Sequence, residues 1–200
     1  HDFLQTGEDG AMNILFLDDT RVTLAPNTEF SIDEFSFDTS VVPIELALNV
    51  SVNVGTFTYE SGEISKLNGE INIITPTASI TVQGTAFSGT VATSGATTIT
   101  LLPDSSGQVG EVTVSNDAGS QILTQVYTSV TILTDNLAPK PPSPLDNRMM
   151  KNLFDLDSVQ DDIKDNADKQ FDRKENNEFL ENQKEQFEYV EMDAKEAQKL

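Results

Sequence analysis

Side chains that could carry out catalysis are few in this sequence. The single histidine is His1, at the first position, and the sequence contains no cysteine. A Ser-His-Asp or Cys-His set therefore lacks a base, and zinc sites built from thiolates or several histidines lack their ligands. We therefore expect a protein that is not an enzyme and that holds neither a cofactor nor a metal ion.

Two acidic pairs, Asp18-Asp19 and Asp33-Glu34, are the remaining candidates for acid–base chemistry. Paired carboxylates can hydrolyse glycosidic bonds when they flank a sugar substrate. Both pairs, however, fall where a turn or a strand end is predicted, and Asp is common in turns because it bonds the nearby backbone. We expect these carboxylates to make local hydrogen bonds.

Three short motifs resemble ligand sites but lack essential residues. The acidic run at 155–162 is similar to a calcium loop, yet the turn glycine and the closing Glu are missing. Gly84 and Gly89 are not followed by the Lys of a phosphate-binding loop. Asn49-Val50-Ser51 is a formal glycosylation triplet inside a predicted strand, and we interpret it as a chance match.

The chain is strongly acidic, with 12 Lys and Arg, 33 Asp and Glu, and a formal net charge of -21. Both parts contribute: residues 1–142 hold 3 basic against 17 acidic residues, and residues 143–200 hold 9 against 16. This charge repels phosphate backbones and anionic lipid surfaces, so we expect no nucleic-acid partner. No apolar run reaches the ~18 residues of a membrane span, so none is expected.

The elements that position these residues change in character near residue 136. Before it, short runs of Val, Ile, Thr and Phe alternate with polar residues between turn signals, which predicts an all-β domain over residues 1–135. Within the strand predicted from Glu29 to Phe37, the alternation shifts by one position between Ile32 and Phe35. That shift predicts a β-bulge.

A Pro-rich linker at 136–144 and an acidic stretch without glycine at 145–200 follow the β domain. We expect an extended, semi-rigid linker in which Ser143-Pro144 starts a helix. Apolar residues at helical spacing then predict a helical arm whose narrow apolar stripe needs a partner surface. Docking on another chain and packing back on the β domain are both compatible with the linker. The candidate partner-binding residues are Met149, Met150, Leu153, Phe154, Val159, Ile163, Phe171, Leu180 and Phe187.

Several runs of the β domain resemble the FecR-like domain family. The run from Phe16 to Thr28 combines an apolar strand, an Asp-containing turn, a short strand and a Pro-Asn turn, and the run from Thr75 to Phe87 is similar to the second hallmark of the family. The resemblance covers roughly residues 5–133. It implies an all-β fold, either a short twisted β-solenoid or a two-sheet sandwich, and a role in binding and signalling.

The name-giving members of this family lie in the periplasm and relay the state of an iron-siderophore receptor to a sigma factor. They carry a membrane helix before the domain and a small α/β domain after it, neither of which is in this sequence, and Gln83 replaces the hallmark Arg. FecR-like domains also occur in bacterial surface proteins and phage particles. We therefore expect a non-enzymatic structural protein of a virion, in the tail or baseplate region, or of a bacterial surface assembly. Its partners would be proteins in a multi-subunit assembly, with a homo-oligomer as one option.

Two alternatives stay open. One is a periplasmic FecR-type signalling regulator of iron uptake, which shares the expected location outside the cytoplasm. The other is a carbohydrate-binding β module, in which exposed aromatic rings would stack on sugars. The supply of such rings is small, because the chain has no Trp and three tyrosines, Tyr59, Tyr127 and Tyr189.

Overall fold

A computed structural model describes residues 1–40 and 45–145 of the chain. Across these residues the chain forms 13 strands, which confirms the all-β prediction. A helical turn, α1 (Glu63–Lys66), lies between β5 and β6. The strands are β1 (Asp2–Gln5), β2 (Met12–Leu15), β3 (Arg21–Leu24), β4 (Glu29–Asp38), β5 (Glu45–Glu60), β6 (Glu70–Ile74), β7 (Ser79–Gln83), β8 (Ala86–Val91), β9 (Thr97–Leu102), β10 (Glu111–Asn116), β11 (Gly119–Leu123), β12 (Thr128–Ile132) and β13 (Ser143–Pro144).

The strands form one curled sheet in which the long strand β5 belongs to two halves. The first part of β5 pairs with β4 antiparallel and with β6 parallel, and its last six residues, Gly55–Glu60, pair antiparallel with β3 and β8. The first half-sheet therefore has the order β1-β4-β5-β6-β7-β10-β11. The second has the order β2-β3-β5-β8-β9-β12-β13.

Strand β5 passes from one half-sheet to the other at Gly55. Its φ of 112° lies in a region that favours glycine, and a Cβ at this position would collide with Thr28. The Thr28 hydroxyl accepts a hydrogen bond from Thr56 N and donates one to Thr56 O, each at 3.1 Å. These contacts hold the bend that curls the sheet.

The core lies between the two half-sheets and is rich in aromatic and β-branched residues. The rings of Tyr59 and Phe57 pack on Phe87 with centroid separations of 5.3 and 5.8 Å. Gly89 leaves room for the Phe57 ring, which a Cβ would meet. The largest fully buried side chains are Tyr59, Phe30, Phe57, Phe87, Leu24, Leu48, Ile64, Ile71, Ile73, Ile80, Ile99 and Leu101.

The bulge predicted in β4 is confirmed. The register between β4 and β5 shifts between Ile32 and Glu34, so that Asp33 is an extra residue in the ladder. A single extra residue reverses the face on which later side chains point. Because of this reversal, Phe35 and Phe37 point to the same core as Ile32.

The helix start predicted at Ser143-Pro144 is wrong, because these residues form β13 and pair with Ser129 and Thr128 of β12. The unpaired edge of β12 offers the backbone a partner that the capping pattern alone does not reveal. We call residues 136–145 the strap, since they follow the surface of the β domain. The helical arm predicted for 145–200 lies outside the described residues from 146 onward, and the predicted domain boundaries remain predictions.

Candidate functional site

The pair Asp18-Asp19 lies in the turn between β2 and β3, as predicted. Asp18 is 1% exposed, and its carboxylate accepts hydrogen bonds from Thr20 Oγ1 (2.7 Å), Thr20 N (3.2 Å) and Ile64 N (3.2 Å). Its carbonyl oxygen accepts a further bond from Glu63 N at 2.7 Å. Asp18 therefore fixes α1 on the turn, and its oxygen atoms face protein donors on several sides.

The start of α1 is packed tightly against this turn. Gly62 N donates to Thr20 Oγ1 at 3.1 Å, and a Cβ on Gly62 would collide with the backbone of Asp18 and Thr20. The Tyr59 hydroxyl is buried beneath them, facing Thr20 and Ser61 without a well-aligned hydrogen bond. Burial raises the pKa of Tyr59 far above its usual value. This region is a structural anchor.

The second acidic pair, Asp33-Glu34, is exposed on β4. Asp33 accepts a hydrogen bond from the Ser51 hydroxyl, and its Oδ1 lies 3.0 Å from Nδ1 of His1. Glu34 Oε2 accepts a hydrogen bond of 2.7 Å from Asn49 Nδ2. The prediction of local hydrogen bonds at a strand end is therefore wrong for this pair, because both carboxylates lie within β4 and bond side chains of β5 and His1 that are distant in sequence.

The second family hallmark also has structural contacts. Gly84 has a φ of 59°, which favours glycine, and its N–H donates to Ser65 Oγ at 2.6 Å. The buried hydroxyl of Thr85 donates to Leu102 O at 3.0 Å. Gln83, which replaces the hallmark Arg, is exposed and lies opposite Glu111 of β10. The hallmark thus joins β7, α1 and β9.

An open groove lies between the β6–β7 and β10–β11 turns, and Asp117 and Asp135 are part of its lining. Two threonines of its lining are joined through the buried Thr97: Thr77 Oγ1 donates to Thr97 Oγ1 (2.9 Å), and Thr97 Oγ1 donates to Thr75 Oγ1 (3.0 Å). Across residues 1–40 and 45–145, no three His, Cys, Asp or Glu residues are grouped as metal ligands, and no helix is long and apolar enough to cross a membrane.

On the side of the domain formed by β1, β2, β4 and the start of β5, the described residues cover the core only in part. We call this side the open side. The rings of Phe16 and Phe35, with centroids 5.1 Å apart, connect the β2–β3 turn with β4 across it. The partly buried apolar residues that pack against the main core are Leu4, Met12, Ile14, Ile32, Phe35, Phe37 and Leu46. All of them lie on these four strands.

The open side also has free strand edges. Within the described ranges, β1 has β4 as its one neighbour in the sheet, and β2 has β3. Strand β1 covers β4 only as far as Ile32, so residues 34–37 of β4 have β5 alone beside them in the part of the chain that the structure describes. We call residues 34–37 the free edge. Unpaired backbone groups on such an edge can accept a further strand.

The opposite side of the domain is closed by the strap. Asn116 Nδ2 donates to Leu137 O at 2.7 Å, and the buried Pro139 lies beside β11, where its carbonyl oxygen accepts from Gln121 Nε2 at 3.5 Å. Lys140 N donates to Thr131 O at 3.3 Å on β12. The open side is therefore the candidate interaction surface of the described domain.

The partner-binding residues predicted from the sequence lie elsewhere. Met149, Met150, Leu153, Phe154, Val159, Ile163, Phe171, Leu180 and Phe187 all fall outside the described residues and stay predictions. Sequence reasoning missed the open side, although the bulge in β4 gave a local signal of it. Whether Phe35 and Phe37 are covered depends on which strands neighbour β4, and the pattern within β4 does not contain that information.

Comparison with known proteins identifies the family. The model of the FecR protein family matches residues 2–109. Two crystal structures of a proposed anti-sigma factor from Parabacteroides distasonis ATCC 8503, at 2.50 and 1.65 Å resolution, have a similar fold with TM-scores of 0.54. Their sequence identities are 12% and 11%; the alignments cover 75% and 77% of this chain and 62% and 65% of theirs. This chain thus spans less than two thirds of those chains. No curated protein matches the sequence significantly.

These findings contradict the expectation of a structural protein of a virion or surface assembly, and they favour the alternative of a FecR-type signalling regulator. The lack of a membrane helix in this sequence does not argue against signalling, because the family match over residues 2–109 does not depend on such a helix. Because the match covers more than half of the 200 residues, the chain belongs to the FecR protein family.

Proposed function

We propose that the β domain is the extracytoplasmic sensing domain of a FecR-type regulator, which binds another protein and thereby controls a sigma factor. The observation that carries this proposal is the family match over residues 2–109, which spans β1 to β9 and includes the bent strand β5. The similar fold of the proposed anti-sigma factor supports the same role. Iron uptake is the process that the family resemblance suggests.

The geometry supports action through protein contacts. A regulator of this kind needs a rigid domain with a surface that a second protein can recognise. The anchor formed by Asp18, Thr20 and Gly62 supplies rigidity, and the open side supplies partly covered apolar residues beside free strand edges. The core lies inside one continuous curled sheet, so the fold is the all-β one that the resemblance implies.

The carbohydrate-binding alternative receives less support from the aromatic residues. Tyr59 is fully buried, and Tyr127 packs beside Leu145 on the small cluster of Ala86 and Leu102. Neither ring is therefore presented as an open stacking platform for a sugar. Tyr189 lies outside the described residues.

The proposed function can be tested by deleting the codons for residues 1–145 in the organism of origin and comparing transcripts with and without an iron chelator. We expect a discrete set of genes served by one alternative sigma factor to change, and the intact gene to restore them. A strain that carries Ser106→Ala, a change in an exposed loop, serves as the matched control. Unchanged transcripts in the deletion strain, under both iron conditions, would refute the regulatory role.

A further inference from the structure

The free edge determines which main-chain contacts a bound segment can make. Strand β4 is 10 residues long, and β1 occupies its outer edge only opposite Glu29 to Ile32. The following residues, Glu34 to Phe37, continue as strand with the same outer edge uncovered by described residues. A partner strand beside them would continue the sheet through main-chain hydrogen bonds, which is the recognition mode of β-strand addition.

The apolar residues of the open side determine which side chains fit on the inward face of the added strand. Phe35 and Phe37 point toward the core but are only partly buried, as are Met12 and Ile14 of β2. A strand beside β4 would place every second side chain over this opening, since side chains alternate between the two faces of a sheet. Apolar side chains at those positions would complete the cover of the core.

The acidic residues of the open side determine which side chains fit on the outward face of the added strand. The exposed or half-exposed residues of the four open-side strands include the carboxylates of Asp2, Glu29, Glu34 and Glu45, beside the exposed ring of Phe3 on β1. Strands β1, β2 and β4, and β5 from Glu45 to Val54, contain no Lys or Arg. Cross-strand pairs of opposite charge are stabilising, whereas like charges placed opposite each other are destabilising. Lys or Arg side chains therefore fit the outward positions of an added strand.

Charge also argues against two other occupants. A second copy of this chain would bring the same acidic strands against themselves. The chain's own residues 146–200, with 9 Lys and Arg against 16 Asp and Glu, carry an excess of the same sign. Neither occupant complements the open side, whereas a basic partner does.

We infer that the open side binds a segment of a partner protein in which apolar residues alternate with Lys or Arg, added as a strand beside residues 34–37 of β4. This inference rests on the proposed function in so far as the domain binds a protein, and it adds where and what it binds. Long-range attraction between the acidic domain and the basic segment also speeds their encounter.

The inference can be tested by NMR titration of the isotope-labelled full chain with a short end-blocked peptide in which Lys and Val alternate. We expect chemical-shift changes to centre on residues 34–37 and β2, with slower amide exchange along the free edge. The same peptide N-methylated at every position keeps its charge but has no main-chain donor on either edge, so it should not bind. Equal binding of the methylated peptide, or shift changes spread over the acidic surface, would overturn strand addition.

A pair of charge reversals tests the location. Glu34→Lys on the open side and Asp117→Lys in the exposed β10–β11 turn change the net charge equally. We expect Glu34→Lys to weaken peptide binding by about fivefold and Asp117→Lys to leave it within about twofold. If Glu34→Lys disturbs the spectrum of the free chain, Glu29→Lys repeats the comparison. Equal weakening by the reversals on the two sides would show that only net charge matters and would overturn the inference.

The remaining outcomes distinguish a failure of the inference from a failure of the proposed function. Self-association that produces shift changes at residues 34–37 would replace the basic partner by a second copy. If the deletion strain shows the expected transcript changes while the peptide fails to bind, the inference fails and the proposed function stands. If the peptide binds as expected while transcripts stay unchanged, the binding edge stands and the regulatory role fails.

Discussion

The two sides of this β domain solve the problem of unpaired sheet edges differently. At one side, the strap crosses from β11 to β12, with Pro139 buried and β13 paired to Ser129 and Thr128. At the open side, β1 and β2 are the edges of the sheet formed by the described residues, and β4 continues past the end of β1. The described residues cover the first side and leave the open side partly bare, which is the basis for placing an external partner there.

The two sides also differ in their tendency to pair non-specifically with other chains. A sheet edge left open beside partly buried aromatic rings is a liability for a monomeric protein, because it invites non-specific pairing. The concentration of carboxylates on the open strands counters that tendency, since it repels other copies and other acidic chains. We interpret the open side as a surface kept selective by its charge.

The largest predicted effect separates the closed interior from the open side. Phe87→Ala removes a fully buried ring that packs on Phe57 and Tyr59, and we expect it to lower the free energy of unfolding by about 4 kcal/mol. Phe37→Ala removes a partly exposed ring, and we expect a loss of at most about 2 kcal/mol. Urea unfolding of both variants measures the two losses. Similar losses would mean that the open side is covered as completely as the interior.

A smaller effect tests the strap. Asn116→Ala removes the hydrogen bonds to Leu137 O (2.7 Å) and Thr134 O (3.3 Å), together with those that Asn116 Oδ1 accepts from Ala118 N and Gly119 N in the β10–β11 turn, and we expect it to cost about 1–2 kcal/mol. Amide hydrogen exchange should become faster along β11 and β12 and stay unchanged in β4. The matched amide variant Asn49→Ala, on the open side, should leave exchange on β11 unchanged. Unchanged exchange of β11 and β12 in Asn116→Ala would show that the strap does not close this side.

The smallest effect concerns the buried hydroxyl of Tyr59. Because burial raises the folded-state pKa of Tyr59, the unfolded chain loses this proton first, from about pH 10 upward. In that range the unfolded state binds fewer protons, so stability falls as the pH rises. Tyr59→Phe should remove this part of the alkaline loss and change stability at neutral pH by less than about 1 kcal/mol. Unfolding curves from neutral to alkaline pH measure it; the same alkaline slope in both proteins would contradict the burial of this hydroxyl.

Much of the fold follows from local sequence patterns. The alternation in β4, with its shift between Ile32 and Phe35, predicts both the strand and the bulge, because each is a property of neighbouring residues. The turn at Asp18-Asp19 is equally local. Ser143-Pro144 shows the limit of such signals, since its capping pattern favours a helix while the free edge of β12, around Ser129, favours a strand. That edge is distant in sequence, so the local pattern could not reveal it.

The candidate site was harder to predict for the same reason. Phe35 and Phe37 alternate as they would in a fully covered strand, and what leaves them partly bare is the early end of β1. On the sequence alone, Gln83 in place of the hallmark Arg argues against a signalling role. In the fold this residue is exposed beside Glu111, so its change leaves the hallmark turn at Gly84 intact.

The most direct test of the account is photo-crosslinking in the organism of origin, with benzoylphenylalanine placed at one of two serines. Ser36 lies on the free edge, and Ser120 lies on β11, on the side that the strap covers. If the open side is the binding surface, Ser36 gives a crosslinked product with another polypeptide and Ser120 gives none. A product from Ser120 equal to that from Ser36, or a product from Ser120 alone, would contradict the central claim that partner proteins bind at the open side.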